Sequence, residues 1–355
     1  MLRLPVPGRL FKRGWHPRPR FALLCIFLIS TLIYGDMAAR AASGLAETAR
    51  SPEDVQRFVE THSTFDWGPL WSALKLPAQT TPRPCTAESA WHVCSSELIT
   101  ILGPAQTIVH IQRSDSGSET YLRYMRQSNT LGPPLWRFAG MFQSSAKYFP
   151  TRHRILMFAN TPFLAVTGQG VNGTGVSSEV ESWMDLRDAA FTPVFSYSSE
   201  GQYAALVSGY VSRRFRGTVV ALRKDPAESV TVSYHMDFAD DQNPNQIFHL
   251  GAREDSVVFT RSGGTFALDA TASTVRKTEY DSLYAKFGDA FSCDQLVHYD
   301  FAALNDIAMA PEQTDEKRKA WLGKYLEDWC SDTPERTRLG ALIKETSARS
   351  PQERE

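Results

Sequence analysis

The chain has 355 residues, 42% of them apolar and 22% charged. That is enough for a folded core in one or two domains, and it excludes a wholly disordered or collagen-like protein. The formal charge of −1 conceals an asymmetry: without the seven basic residues and one acid of positions 1–41, the body holds 31 basic and 38 acidic residues, a net −7. Nucleic-acid binding needs clustered Lys and Arg against phosphate, so no nucleic-acid partner is expected.

The first 20 residues are basic and carry prolines, and residues 21–34 then run 14 positions without a charge. Asp36 ends the run and small residues follow, with Ala39-Arg40-Ala41 matching a small-x-small cleavage pattern. Basic flank, apolar centre and small-residue tail are the parts of a secretory signal, cleaved after Ala41. The rival is a membrane anchor at 21–39. As a helix the uncharged run rises about 21 Å, short of the roughly 30 Å hydrocarbon core, and lengthening it takes in Asp36. The basic flank keeps the N-terminus cytoplasmic either way, so the body is exported under both readings. Cys25 lies early in the apolar run and reads as a small apolar filler. Cys85, Cys94, Cys293 and Cys330 follow the leader. An even number in an exported chain points to two disulfides, most economically Cys85–Cys94 and Cys293–Cys330. No two-residue Cys spacing suggests a zinc knuckle.

Residues 42–50 read as a neck, and Ser51-Pro52-Glu53-Asp54 as a helix cap with proline at the first helical position. Val55, Phe58 and Val59 then share a face. A second short helix falls within 67–77, before a proline-rich loop ending at Cys85. From 98 to 270, runs rich in Val, Ile, Phe, Tyr and Trp alternate with Gly, Pro, Asn and Ser clusters, and no crossover helix intervenes. That pattern predicts antiparallel β structure. The stretch 202–223 is too long for one ordinary strand, so a bend is expected near Ser208-Gly209. Val230, Val232, Tyr234, Met236 and Phe238 alternate with Thr231, Ser233, His235 and Asp237, giving one core face and one wet or groove-lining face. Residues 257–269 read as a hairpin turning at Ser262-Gly263-Gly264. The tail changes period: 279–287, 295–309 and 314–330 read as helices. Trp321, Leu322, Tyr325, Leu326 and Trp329 form a stripe expected to pack into the core.

Several motifs are decoys. Gly168, Gly170 and Gly173 satisfy G-x-G-x-x-G, but a strand-like stretch follows where a dinucleotide site needs a helix N-terminus. Asn172-Gly173-Thr174 is a glycosylation acceptor only in a host that performs that chemistry. Ser72/Lys75 and Ser144/Lys147 have serine–lysine spacing without companion motifs. There is no H-E-x-x-H, and the eight histidines are scattered, which excludes that type of zinc peptidase. Ser233, His235 and Asp237 are too collinear for a triad without a bend. Asp237, Asp240, Asp241, Asn243 and Asn245 concentrate oxygen donors, but Gln246 and Ala252 stand where a calcium loop needs Gly and Glu. The carboxylates Glu179, Glu181 and Asp185, with Trp183, would share a strand face. Same-face neighbours lie about 6.6 Å apart, within the range glycoside hydrolysis uses.

The reading is of a mainly β protein: an antiparallel β-rich domain (sandwich, open barrel or meander) with short N-terminal and C-terminal helices. Its segments are 1–41, signal peptide or signal anchor; 42–97, neck, short helix and Pro-rich loop; 98–270, antiparallel β core; 271–346, helical flank packed on that core; and 347–355, disordered tail. The expected role is an exported cell-envelope or secreted binding or structural protein. The alternative is a hydrolase of a carbohydrate or other envelope polymer, with Glu179, Glu181 and Asp185 the first places to look. No residue is assigned as catalytic, cofactor-binding or metal-ligating. The expected partner is an envelope or extracellular molecule, with membrane contact only through an uncleaved N-terminal segment.

Overall fold

The computed structural model describes residues 51–61, 68–75, 94–101, 105–113, 118–127, 135–146, 151–173, 175–188, 191–203, 212–240, 248–285, 293–310 and 312–348. The expected export segment, Cys85, Lys147, the Ser208-Gly209 bend, Asp241, Asn243, Asn245 and residues 349–355 lie outside these. Ser347 and Ala348 belong to the last helix rather than to a disordered tail. No helix among the described residues is long and apolar enough to cross a membrane. The chain divides into two units, one of 1–49 with 67–81 and one of 50–66 with 82–355. The first contributes the short helix α2 (Gly68–Ala73), which carries Ser72.

The second unit holds α1 (Pro52–Thr61) and all the strands among the described residues. Ser51 caps α1 as its sequence predicts, its Oγ accepting the Asp54 N–H at 3.1 Å. Val55 and Val59 are buried, Phe58 half-buried. The structure is mainly β, with two antiparallel sheets. The first has four strands in chain order: β1 (Cys94–Ile101), β2 (Gln106–Arg113), β3 (Ser118–Gln127) and β4 (Leu135–Ser145). It begins at Cys94, four residues before the expected boundary. α1 packs across β1 and β2. The opposite face meets the second sheet, which is why Ile108, Val109, His110 and Ile111 are all buried and β2 reads as a near-continuous apolar run.

The second sheet has eight strands, again in chain order. They are β5 (Arg152–Phe158), β6 (Thr161–Gly173), β7 (Val176–Asp185), β8 (Pro193–Tyr203), β9 (Ser212–Arg223), β10 (Ser229–Asp240), β11 (Phe248–Ser262) and β12 (Thr265–Leu268). The 202–223 stretch takes part in two antiparallel strands, β8 ending at Tyr203 and β9 beginning at Ser212. Gly263 and Gly264 form the β11–β12 turn with φ of +59° and +94°, the left-handed conformation that a two-residue type I′ hairpin requires.

Of the shapes the sequence allowed, the sheet is a meander curled toward an open barrel. β12 reaches β8 although three strands separate them, Phe195 and Phe266 lie 5.5 Å apart, and Arg261 of β11 reaches Asp185 of β7 at 2.9 Å. The curl gives the sheet an inner face, lined by Phe163, Trp183, Phe195, Phe215, Val232, Tyr234 and Phe259. The β10 side chains Val230 to Phe238 on this face are at most 3% exposed. Burial is worth about 1.5–3 kcal/mol for each such side chain. A one-residue slip would turn all five outward, so the register is strongly fixed.

Helices fill and cover the inner face. α3 (Lys277–Tyr280) continues into one π-helical segment, Asp281–Ala285, where the sequence predicts a simple helix. Tyr284 stacks on Tyr234 at 4.0 Å and meets Phe215 edge-on at 5.2 Å. α4 (Cys293–Tyr299), α5 (Phe301–Met309), α6 (Glu312–Trp329) and α7 (Pro334–Ala348) follow. The expected α6 stripe holds for Leu322, Tyr325 and Leu326, which are buried, and for partly buried Trp321. Trp329 departs from it and is 51% exposed. Cys293 and Cys330 form the expected disulfide, Cα–Cα 5.0 Å.

Two apolar clusters of described residues lie on the two faces of the second sheet. The larger cluster lies between the inner face and the helices. The smaller one, on the other face, joins Leu164, Val166, Met184, Leu186 and Phe191 to Ile108 and Tyr121 of the first sheet. Arg123 bridges this junction, donating to Gln106 Oε1 and to the backbone oxygens of Leu186 and Asp188.

Candidate functional site

The inner face grades from apolar to polar along its strands. The register aligns Arg154 with Ala165, Arg152 with Thr167, Thr167 with Glu181, Glu181 with Tyr197, and Glu179 with Glu200. Side chains in register project to the same side, so the polar end of this face gathers charge from several strands. A cavity of about 480 Å³ opens there. Its charged lining is Arg152, Arg154, Arg216, Glu179, Glu181 and Glu200, with hydroxyls from Thr167, Tyr197, Ser199 and Thr218.

Glu181 is the most heavily engaged of these groups. Its Oε1 accepts from Arg154 at 2.8 Å, from Trp183 Nε1 at 2.8 Å and from the Tyr197 hydroxyl at 3.3 Å. Its Oε2 accepts from the Thr167 hydroxyl at 3.2 Å. A carboxylate held by four donors is oriented firmly, and its lone pairs are largely committed. Glu179 pairs with Arg152. Burial raises its carboxyl nevertheless, with Glu200 adding to the effect and Arg152 opposing it.

The structure thus brings together two of the three carboxylates singled out from the sequence. Asp185 stands apart, paired with Arg187 and with Arg261 at 2.9 Å, and the Arg261 guanidinium lies over the rings of Phe163 and Phe266. Burial works against its charge, but hydrogen bonds from Arg187 and Arg261 hold its carboxyl below the usual range. Trp183 is no exposed sugar platform either. It is 1% exposed, packed between Phe163 and Phe195 with its N–H turned to Glu181. The strand period places these side chains on one face, but it does not say where along that face the solvent ends.

Other sequence candidates fall as follows. Gly168, Gly170 and Gly173 lie in β6, followed by antiparallel β7 and not by a helix. A Cβ on Gly168 would sit 1.8 Å from Ser144 Oγ and 3.0 Å from the Ser145 carbonyl, so this glycine serves the close approach of β4 to β6. His235 and Asp237 line a second groove of about 540 Å³ across β8 to β10, which shares Glu200, Arg216 and Thr218 with the first cavity. His235 Nε2 lies 3.1 Å from Asp237 Oδ1, and Nδ1 contacts Glu254, the larger of the influences that raise this imidazole. Ser233 lines the groove but is no part of that contact.

One constellation escaped the sequence reading. On the first sheet's inward face, His110 lies between two carboxylates, Nδ1 2.6 Å from Glu97 Oε1 and Nε2 2.6 Å from Glu119 Oε2. Burial opposes its protonation, yet the two carboxylates outweigh burial and raise the imidazole above its ordinary value. Glu119 is 1% exposed and also accepts the Thr151 N–H at 3.0 Å. His153 of β5 meets the His110 ring edge-on, with centroids 5.2 Å apart. Alternation in β2 did hint that His110 shares a face with Ile108, but nothing local marks its partners.

The chain matches no protein-family model, no curated protein and no solved structure.

Proposed function

We propose that the protein is an exported binding module that holds a polar, hydroxyl-rich ligand in the cavity at the polar end of the inner face. The observation that carries this reading is the convergence of Arg152, Arg154, Glu179, Glu181 and Tyr197 in a space of about 480 Å³, within the range of small-ligand sites. Three arginines balance three glutamates, so the site does not select a strong net charge. Its hydroxyls and mixed charges instead match an oligosaccharide bearing both hydroxyl and charged groups. Export rests on the basic-apolar-small leader, ending at Ala41, and on the disulfide, which suits an oxidising compartment.

A hydrolase acting through Glu179 is the second reading, because a carboxyl raised by burial is what a general acid requires. The commitment of Glu181 to four donors weighs against it as the partner nucleophile. Calorimetric titration with neutral, acidic and amino oligosaccharides, together with product analysis, separates the two. Binding without turnover, weakened at least tenfold by both Glu179→Gln and Arg152→Ala, supports the binding module. Turnover lost with Glu179→Gln establishes the hydrolase. No binding to any member of the panel, or binding indifferent to both substitutions, refutes the site. Intact mass of the protein from its native host, beginning at Ala42, tests the export reading.

A further inference from the structure

We propose that Glu97, His110 and His153 form a site for one divalent transition-metal ion of the zinc class, on the side of β5 facing the first sheet, although His153 also borders the inner-face cavity. The three side chains come from β1, β2 and β5, and their ligand atoms all lie within 4.8 Å of one another. Two imidazoles and one carboxylate make a borderline donor set suited to zinc or ferrous iron, whereas magnesium and calcium favour all-oxygen shells.

The surroundings of His110 match those of a metal-binding imidazole. Such a ring ordinarily presents one nitrogen to the ion and donates the other N–H to a carboxylate that fixes its orientation. Here Nε2 faces buried Glu119 at 2.6 Å, and Glu119 is itself anchored by the Thr151 N–H and hydroxyl. The ring is also held by its stack on Tyr121, centroids 4.4 Å apart and planes within 8°. Nδ1 is left pointing toward Glu97 and His153. Without an ion, a proton between Nδ1 and Glu97 makes the 2.6 Å contact; a metal takes the place of that proton. With both imidazoles neutral, Glu97 and Glu119 carry two negative charges, which a divalent ion cancels.

The adjustments required are small and fall on the exposed partner. Tetrahedral ligands at about 2.0–2.1 Å from zinc lie about 3.3 Å from one another. Nδ1 and Glu97 Oε1 must separate from 2.6 Å, while His153 Nε2 and Glu97 must close from 3.8 Å. The Glu97 side chain is 55% exposed and His153 22%, against 5% for His110, so the ion can enter from the Glu97 side. Three protein ligands leave one position for water or an incoming group.

A purely structural role would be an imidazolium clamped between Glu97 and Glu119, to which His153 adds only its 3.8 Å approach to Glu97. The discriminating variants are therefore His153→Ala and Glu97→Gln. His110→Ala would strand buried Glu119 and is not decisive. The full chain, stripped with chelator, is titrated with zinc by calorimetry and with cobalt(II) by visible absorption. Expected are one ion per chain, cobalt d–d bands of four- or five-coordinate intensity, and no displacement by magnesium or calcium. His153→Ala and Glu97→Gln should each weaken zinc binding at least tenfold. Glu119→Gln should weaken it about 10–100-fold, through lost orientation and lost negative charge together. Absence of stoichiometric zinc binding, or binding that both His153→Ala and Glu97→Gln leave intact, overturns the site.

Discussion

Asp300 makes the stability of the helix–sheet junction depend on pH, with a sign opposite to that of most carboxylates. It stands between α4 and α5 with its side chain 1% exposed. Oδ1 accepts from Arg253 at 3.3 Å, and Oδ2 has no hydrogen-bond partner among the described residues. Arg253 is more closely engaged elsewhere, by Asp255 at 3.0 Å and Glu279 at 2.6 Å. Burial therefore outweighs the attraction of Arg253 and raises the Asp300 carboxyl from 3.8 to about 7. The start of α5 favours an anion by only about 0.3–1 kcal/mol, too little to reverse this. Between pH 4 and 7 the folded chain holds this proton and the unfolded chain releases it, so the contribution of Asp300 to stability falls as pH rises. Roughly three units at about 1.4 kcal/mol each give a loss of about 4 kcal/mol, complete above pH 7. Asp300→Asn removes the titration and sacrifices no cap, since the side chain makes no capping hydrogen bond. Urea unfolding of both proteins from pH 4 to pH 8 isolates the effect, because every other titrating group cancels in the difference. The variant should match the wild type near pH 4 and exceed it by up to about 4 kcal/mol at pH 8. A difference flat across that range, or a variant less stable at pH 8, refutes the reasoning.

Two further outcomes test the packing. Gly168→Ala should destabilise by about 1–3 kcal/mol in chemical denaturation, because its Cβ meets Ser144 and the Ser145 backbone; Ser144→Gly should restore part of the loss, and no loss would disprove the close approach of the sheets. Reducing Cys293–Cys330, 37 residues apart, should cost about 4 kcal/mol by loop closure, and a loss below about 1 kcal/mol would refute the entropic account.

What could be read from the sequence was whatever a short window decides. Alternation in β10 fixed its two faces because burial there is complete on one side and absent at His235 on the other. Ser262-Gly263-Gly264 located a turn because only residues tolerant of positive φ fit it. Ser51 announced α1 through its own hydroxyl. By the same logic Thr333-Pro334 announces α7, with the Arg336 N–H on the Thr333 hydroxyl at 3.1 Å; the α7 helix falls within the helical flank but was not singled out. Sheet membership was not accessible in this way. The break between β4 and β5 has the same turn chemistry as its neighbours, and only the pairing of edges assigns those strands to different sheets. Curl was equally hidden, since a strand's period says which face a side chain takes and nothing about how far the sheet bends.

The two site clusters differ in legibility for the same reason. Glu179 and Glu181 sit two apart on β7, and Arg152 and Arg154 sit two apart on β5, with β6 between them. An acidic alternation facing a basic one, two strands away in an unbroken meander, is a pattern that chain order makes visible. Once β5, β6 and β7 are placed side by side, the charges must meet on one face, and Arg152–Glu179 and Arg154–Glu181 follow from register. Glu97, His110 and His153 obey no such rule. Glu97 and His110 are cross-strand partners within the first sheet, but His153 reaches them from the second sheet, across a packing interface. Its position depends on how the two sheets stack, and stacking is set by an apolar cluster that surrounds the histidines, with Val166 paired to His153 and Tyr121 stacked on His110. A polar cluster inside an interface of that kind is held in place by the apolar side chains around it. Substitutions in that small core should therefore disturb the histidines before they disturb the carboxylate cavity on the opposite face.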